Sequence, residues 1–314
     1  MRPTATVSAN DPPLELPVEH SLEPPIDAAR AFVDELIDYY EEAGPDYAAW
    51  SANFNMHFGY FAAGMNPFRR EPMLARMNQI VFDQLDFDDQ AGEILDAGCG
   101  LGTPARAATL RFAKARTTGV SIVPWQIKQA QIFSAGPEYA ERLRFLEADY
   151  CRTGLPDASF DRVYGIESVC HGPGLSKSAF LTEAARLLKP GGRLVVADGF
   201  LKQSHRPLRW PLNTITRKIC ECWSLETFAD LFEFQRALHD AGFRDVQITD
   251  ISWRIAPSVL HVPVVTAAFL WQQIRAGTRL SRQRKKNLIA PMLAPLLGLA
   301  RSRFAYCLVS AVRI

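Results

Sequence analysis

Glu167 and His171 stand four residues apart in the run Glu167-Ser168-Val169-Cys170-His171, directly after the apolar stretch Arg162–Ile166. A carboxylate at the end of a strand, followed by an imidazole, can orient a reacting group, steady a positive charge or accept a proton. A third candidate, His57, lies in an aromatic run with Tyr47, Trp50, Phe54, Phe58 and Tyr60. Ring faces attract cations, so this run could line a pocket for an apolar acceptor; it could equally be core. His20, His205, His239 and His261 belong to no such pattern.

A second cluster suggests what these residues would act beside. Glu93-Ile94-Leu95-Asp96-Ala97-Gly98-Cys99-Gly100-Leu101-Gly102 reads as a short strand ending in an acid, then glycines at alternate positions, then a helix-forming run. Gly98, Gly100 and Gly102 would let backbone turn tightly and approach a ligand closely. The helix that follows would offer free N–H groups to an anion. The spacing also fits a loose dinucleotide pattern, which is weak by itself. Asp96 at the strand tip would crowd a pyrophosphate but suits S-adenosyl-L-methionine, whose sulfonium and amino groups are cationic. A dinucleotide site also wants an acid at the end of the next strand, and Thr117-Thr118-Gly119-Val120-Ser121-Ile122 has none.

These residues need a frame. Helical spacing marks 26–44 and 70–85. Strands and helices then alternate: 94–97, 105–113, 117–120, 124–134, 143–147, 162–166, 177–188 and 193–197, followed by a helix over 225–241 and strands over 246–252 and 306–312. Such alternation implies a mostly parallel sheet covered on both faces, with ligands at the C-terminal ends of its strands. The expected division is a loosely packed or disordered tail (1–25), a helical cap carrying the aromatic segment (26–90), a cofactor-binding core (91–252), a helical insert (253–304) and a final core strand (305–314). The insert is apolar with a basic knot at Arg279, Arg282, Arg284, Lys285 and Lys286. It reads as a lid, a peripheral membrane contact or a packed extension.

Composition narrows the field. At 314 residues and 48% hydrophobic content the chain can bury a large core, and a formal net charge of +1 gives no argument for nucleic acid. Cys99, Cys151, Cys170, Cys220, Cys222 and Cys307 lack the paired spacing of a zinc site, so no metal is expected and free thiols in a reducing cytoplasm are. No signal peptide is expected in 1–25. No convincing membrane span is expected either: Val259–Trp271 is interrupted by His261 and Pro263, and Leu288–Ala300 is short and holds Pro291 and Pro295.

Motif by motif, residues 30–252 resemble a class I S-adenosylmethionine-dependent methyltransferase. Leu95–Gly102 looks like the family's first motif. Gly119-Val120-Ser121-Ile122 with Gln126 resembles the second-strand variant of the cyclopropane-synthase, tocopherol and sterol group. Glu147-Ala148-Asp149 resembles the adenine-binding motif, with Tyr150 beside the ring. Tyr164–Pro173 closely resembles the sterol C-methyltransferase motif, and Phe54–Tyr60 is similar to the segment that precedes the core in that group. The resemblance implies a Rossmann-like fold with a seven-stranded sheet. It also implies a cofactor site of Asp96, Gly98, Gly100, Gly102, Ser121, Ile122, Gln126, Asp149, Tyr150 and Glu167, with Glu167, His171 and His57 as catalytic candidates.

The expected activity is methyl transfer to a small hydrophobic acceptor, foremost C-methylation of an isoprenoid or sterol-like alkene. Transfer to oxygen or nitrogen of a specialised metabolite is the alternative. A nicotinamide oxidoreductase and a non-catalytic interaction protein are the contrasting classes. The sequence leaves the acceptor and the oligomeric state open.

Overall fold

The chain is described by a computed structural model over residues 26–87 and 91–314, and of its first three helices two line the site while the third packs on the sheet. The tail expected at 1–25 lies outside the described residues. Helix α1 (Ile26–Ala43) is followed by the single turn α2 (Tyr47–Trp50) and by α3 (Arg70–Gln84). Leu36 and Tyr39 are the buried stripe of α1, while Met73, Leu74, Met77 and Val81 are the fully buried side of α3. Between α2 and α3 the chain is irregular, and Phe54 takes a left-handed turn at φ +59°.

The core then alternates as β1 (Gly92–Ala97), α4 (Thr103–Arg111), β2 (Ala115–Ser121), α5 (Pro124–Phe133), β3 (Leu143–Glu147), β4 (Phe160–Ile166), α6 (Ser178–Leu187) and β5 (Leu188–Leu201). It continues with α7 (Leu212–Trp223), β6 (Ala229–Asp230), α8 (Leu231–Asp240), β7 (Phe243–Asp250), α9 (Ser252–Val259), α10 (His261–Arg275), α11 (Arg282–Leu299) and β8 (Phe304–Arg313). The sheet runs β3-β2-β1-β4-β5-β8-β7, with the two-residue β6 added beside β5. Thus the seven-stranded path expected from sequence gains one short strand. β8 is antiparallel to both β5 and β7.

Inner strands are apolar on both faces because helices cover both. Val163 faces Phe180, Leu181, Phe234 and Leu238 on one side. Tyr164 faces Met77, Val81, Phe82 and Phe112 on the other. The parallel pairs β1–β2, β1–β4 and β4–β5 bring the ends of β1, β2 and β4 to one rim. The glycine stretch and Glu167 therefore emerge side by side.

Two expectations change. The helix expected over 225–241 starts only at Leu231. Ser224 turns left-handed at φ +49°, Ala229–Asp230 pairs with β5, and the Asp230 carboxylate caps α8 by accepting from the N–H groups of Phe232 and Glu233. Helix α7 was not foreseen; it follows a cis Trp210–Pro211 bond and packs Ile219 and Cys222 against α11. The insert is helical as expected. By length and composition alone, Ser252–Arg275 is long and apolar enough to cross a membrane, which the sequence reading of Val259–Trp271 did not anticipate. In the fold its inner side is buried at Val262, Thr266 and Phe269.

Candidate active site

The glycine loop folds as expected and opens a cavity of about 490 Å³ at the rim of the sheet, a usual size for a small-molecule site. Gly98 and Gly100 line it with φ of +84° and +51°. A Cβ on Gly98 would lie 2.4 Å from the Ser168 side chain, so only glycine fits there. Ser121, Ile122 and Gln126 form one wall, and Asp149, Tyr150 and Glu167 another. The Ser121 hydroxyl donates to Gln126 Oε1 at 2.7 Å and accepts from Val123 N–H at 3.1 Å. The Tyr150 hydroxyl donates to the Ser168 carbonyl at 2.8 Å, which fixes its ring against the loop.

Two expected cofactor residues do not line this cavity. Gly102 turns the chain into α4, with the Phe145 ring where a side chain would go. Asp96 is 1% exposed and lies beneath the loop, opposite Tyr164 in the β1–β4 register. Burial pushes its carboxyl up to about 7, against the pull of the Tyr164 hydroxyl and the Ala105 N–H, and its Oδ2 has no hydrogen-bond partner. Asp96 therefore supports the loop from below. Its direction is inward because strand alternation turns residue 96 to the face that packs α3.

A second cavity, about 220 Å³, adjoins the first. Tyr40, Met56, His57, Glu167 and His171 line both. Tyr47, Trp50 and Phe58 face this second space as expected, joined by Trp223, Phe228 and Phe269. The other two aromatic candidates are corrected. Phe54 lines the first cavity, stacked on Phe133 at 4.9 Å. Tyr60 lines neither cavity; it packs on the α3 side of the sheet with Arg254 over its ring. The left-handed turn at Phe54 and the extended chain after it send neighbouring rings to different sides.

Glu167 sits at the shared wall. Its own backbone is left-handed at φ +49°, a conformation costly for a side-chain residue. Its Oε1 accepts from Phe58 N–H at 2.6 Å and from the Tyr306 hydroxyl at 2.8 Å. Burial nevertheless pushes its carboxyl up to about 8, with Asp198 adding repulsion. His171 pairs through Nε2 with the Tyr40 hydroxyl at 2.9 Å, and burial lowers it to about 4, so its ring is neutral near pH 7. His57 is 3% exposed. Its Nδ1 donates to the Phe58 carbonyl at 2.9 Å, its Nε2 has no hydrogen-bond partner, and burial lowers its pKa. This bond ties the ring to the aromatic segment, and the ring borders both cavities.

The loop after β4 is anchored by residues that sequence reading passed over. Lys177 is fully buried and donates to the carbonyls of Cys170, Gly172 and Thr227 at 3.0, 2.6 and 2.8 Å. Asp198 accepts from Cys170 N–H at 2.9 Å and, through its other oxygen, from Gly199 N–H at 2.7 Å. Burial pushes its carboxyl up to about 6. An acid directly after the apolar run Leu194–Ala197 of β5 was a signal for Asp198. Tyr306 and Tyr40 gave none, because each meets its partner only through the tertiary fold. Trp125 packs beneath Gly44 at the end of α1.

A family profile described as a methyltransferase domain matches residues 95–196. Over 243 residues the chain is 29% identical to methyltransferase GfsG of Streptomyces halstedii, covering 76% of this chain and 82% of that one. It is 28% identical over 247 residues to sterol 24-C-methyltransferase ERG6A of Gibberella zeae, covering 76% of this chain and 63% of the relative. Among solved structures, a geranyl diphosphate methyltransferase in complex with GPP and sinefungin superposes with a TM-score of 0.69 at 16% identity, covering 90% of this chain and 100% of that one. At that identity the likeness speaks for the fold.

Proposed function

We propose that this chain, a class I S-adenosylmethionine-dependent methyltransferase of the group that holds the sterol and tocopherol enzymes, methylates a carbon atom of a small isoprenoid or sterol-like acceptor. The observation that carries the acceptor class is the cavity beyond Glu167. Its walls are mostly rings and aliphatic side chains, with Asp46, Asp198 and Asn287 among them, and the Glu167 carboxyl stands where that cavity meets the cofactor side. The sterol 24-C-methyltransferase likeness supports the same class.

When bound, S-adenosylmethionine supplies an electrophilic methyl on a positively charged sulfur. The glycine loop and Ser121–Gln126 hold the donor side, and the aromatic wall holds the acceptor, so alignment does much of the work. An alkene that gains the methyl carbon becomes a carbocation. Tyr47, Trp50, Phe58 and Phe228 present ring faces to that charge, and Glu167, ionised beside a cation, balances it. The acceptor proton leaves to restore the double bond, and Glu167 Oε2 is the available acceptor, because Oε1 is already held by Phe58 and Tyr306. Tyr306 and Phe58 N–H position the carboxyl through this charge change.

A second reading rests on His171. A neutral imidazole paired with Tyr40 at the shared wall is suited to draw a proton from a hydroxyl acceptor. Isotopically labelled methyl donor, offered with a panel of prenyl diphosphates, triterpenes, quinols, glycosides and amines, separates the two. Label on an isoprenoid carbon is the expected result. Label only on oxygen or nitrogen would overturn the alkene reading and make His171 the base.

A further inference from the structure

The segment that closes the acceptor cavity has two apolar faces. Val262, Val265, Thr266 and Phe269 of α10 look into the cavity. Leu260, Val264, Trp271 and Ile274 are 68, 68, 62 and 69% exposed. At 3.6 residues per turn these four fall within roughly 80° of arc, opposite the cavity-lining residues. Trp253, 75% exposed, continues the same stripe one helix earlier. Phe68 adds to it. The preceding carbonyl of Pro67 accepts from His261 Nε2 at 2.7 Å, which fixes that loop at the start of α10 and leaves the Phe68 ring 86% exposed. So many large apolar side chains bared in one region mark an interaction surface.

Charge names the kind of surface. The whole chain is nearly balanced, with 35 Lys and Arg against 34 Asp and Glu, yet residues 251–314 hold ten Lys and Arg and no acid. Some are used inside the fold: Arg284 pairs with Asp46, and Arg301 with Asp250. Arg275 and Arg279 are exposed at and just beyond the end of α10, and Lys285 is exposed in the first turn of α11. Tryptophan and aliphatic side chains beside exposed cations, on a helix lying flat on the protein, match the demands of an anionic lipid interface.

We infer that the outer face of α10, with Phe68 and Trp253, seats the enzyme on an anionic bilayer surface, so that an acceptor dissolved in the lipid enters past the other side of the same helix. The contact is peripheral: α10 is held by the fold on its inner side, and its outer stripe dips into the headgroup boundary. This inference deepens the proposed acceptor class, but its test does not depend on turnover.

The test is sedimentation of the full chain with vesicles of phosphatidylcholine alone or with admixed phosphatidylglycerol, at low and raised salt. Binding is expected only with phosphatidylglycerol, and raised salt should weaken it. Arg275→Gln with Arg279→Gln should lower partition about 10-fold or more. Leu260→Ser with Trp271→Ser should abolish it while the thermal transition stays in place, since both side chains are exposed. Four results would overturn the inference: no binding to either vesicle, binding indifferent to these substitutions, a dimer in sedimentation velocity that the Leu260/Trp271 variant dissolves, or resistance to alkaline extraction that marks a spanning helix.

Discussion

Tyr306 and Glu167, 139 positions apart in sequence, meet through a 2.8 Å hydrogen bond from the phenol to Oε1. The strand order makes this contact: β8 inserts antiparallel between β5 and β7 and carries Tyr306 back to the rim where β4 ends. A buried carboxyl whose orientation depends on one phenol and one peptide N–H is sensitive to either. Tyr306→Phe should lower turnover about 10-fold through the lost hydrogen bond. Glu167→Gln should lower it about 100-fold or more. Donor affinity near pH 7 should change less than turnover in both variants. Steady-state kinetics beside calorimetric donor binding checks this, and unchanged turnover in Glu167→Gln would remove Glu167 from the chemistry.

The raised carboxyl of Glu167 makes donor binding depend on pH. Its proton is held up to about 8, and a positively charged sulfonium nearby favours its loss. Affinity for S-adenosylmethionine should therefore rise between pH 6.5 and 8.5, by at most about 10-fold per unit for one linked proton. S-adenosylhomocysteine, without the charge, should show a flatter profile. Glu167→Gln should flatten the first profile to match the second; a slope that survives this substitution would assign the proton elsewhere.

His171 should contribute no acid limb to the rate profile above about pH 5, since burial lowers it to about 4. Replacing it with alanine should leave donor binding intact. With a carbon acceptor, turnover should persist; with a hydroxyl acceptor, it should be lost. Tyr40→Phe, which removes the phenol from Nε2, should follow the same division in milder form.

Asp96 has a stability signature of its own. Its folded carboxyl is raised from 3.8 to about 7, so the folded state holds the proton more tightly than the unfolded chain. The associated stability is present below pH 4 and is lost as pH rises through 7. Asp96→Asn cannot ionise. Its Tm relative to the parent should increase from pH 4 to pH 7.5, as calorimetric scans at several pH values would show; a constant difference would mean that the carboxyl is not held neutral.

Narrowing the acceptor cavity should separate its two neighbours. Val262 faces only the acceptor side. Val262→Phe should raise KM for a bulky acceptor by about 10-fold or more while the donor Kd stays the same, as paired binding and kinetic measurements would reveal.

Much of this site could be read in the sequence because its donor half is contiguous. Gly98, Gly100, Ser121, Asp149 and Glu167 lie at or just beyond the ends of β1 to β4, Gln126 follows in the first turn of α5, and a parallel sheet places successive strand ends on one rim. The acceptor half is not built that way. Tyr306 comes from the last strand, Tyr40 from the first helix and Phe269 from the insert, and no local spacing joins them. The aromatic run misled for a related reason. Regular alternation would have kept Phe54, Phe58 and Tyr60 on one side, but the left-handed turn at Phe54 and the irregular chain after it divide them between three environments. Asp96 was placed correctly in sequence but assigned to the wrong side of the loop, because the side to which a strand-tip acid turns is set by the sheet's pleat.

Helix α1 touches both cavities: Val33 and Leu36 on the donor side, Tyr39 on the acceptor side and Tyr40 on both. Helices α10 and α11 reach only the acceptor side. For anyone redesigning this enzyme the consequence is a division of freedom. Changes to α1 made for a new acceptor will carry over into donor affinity. The inner face of the insert can instead be recut for larger or smaller acceptors with the donor half left as it is. Divergence among relatives of this chain that differ in acceptor should accordingly concentrate in the insert.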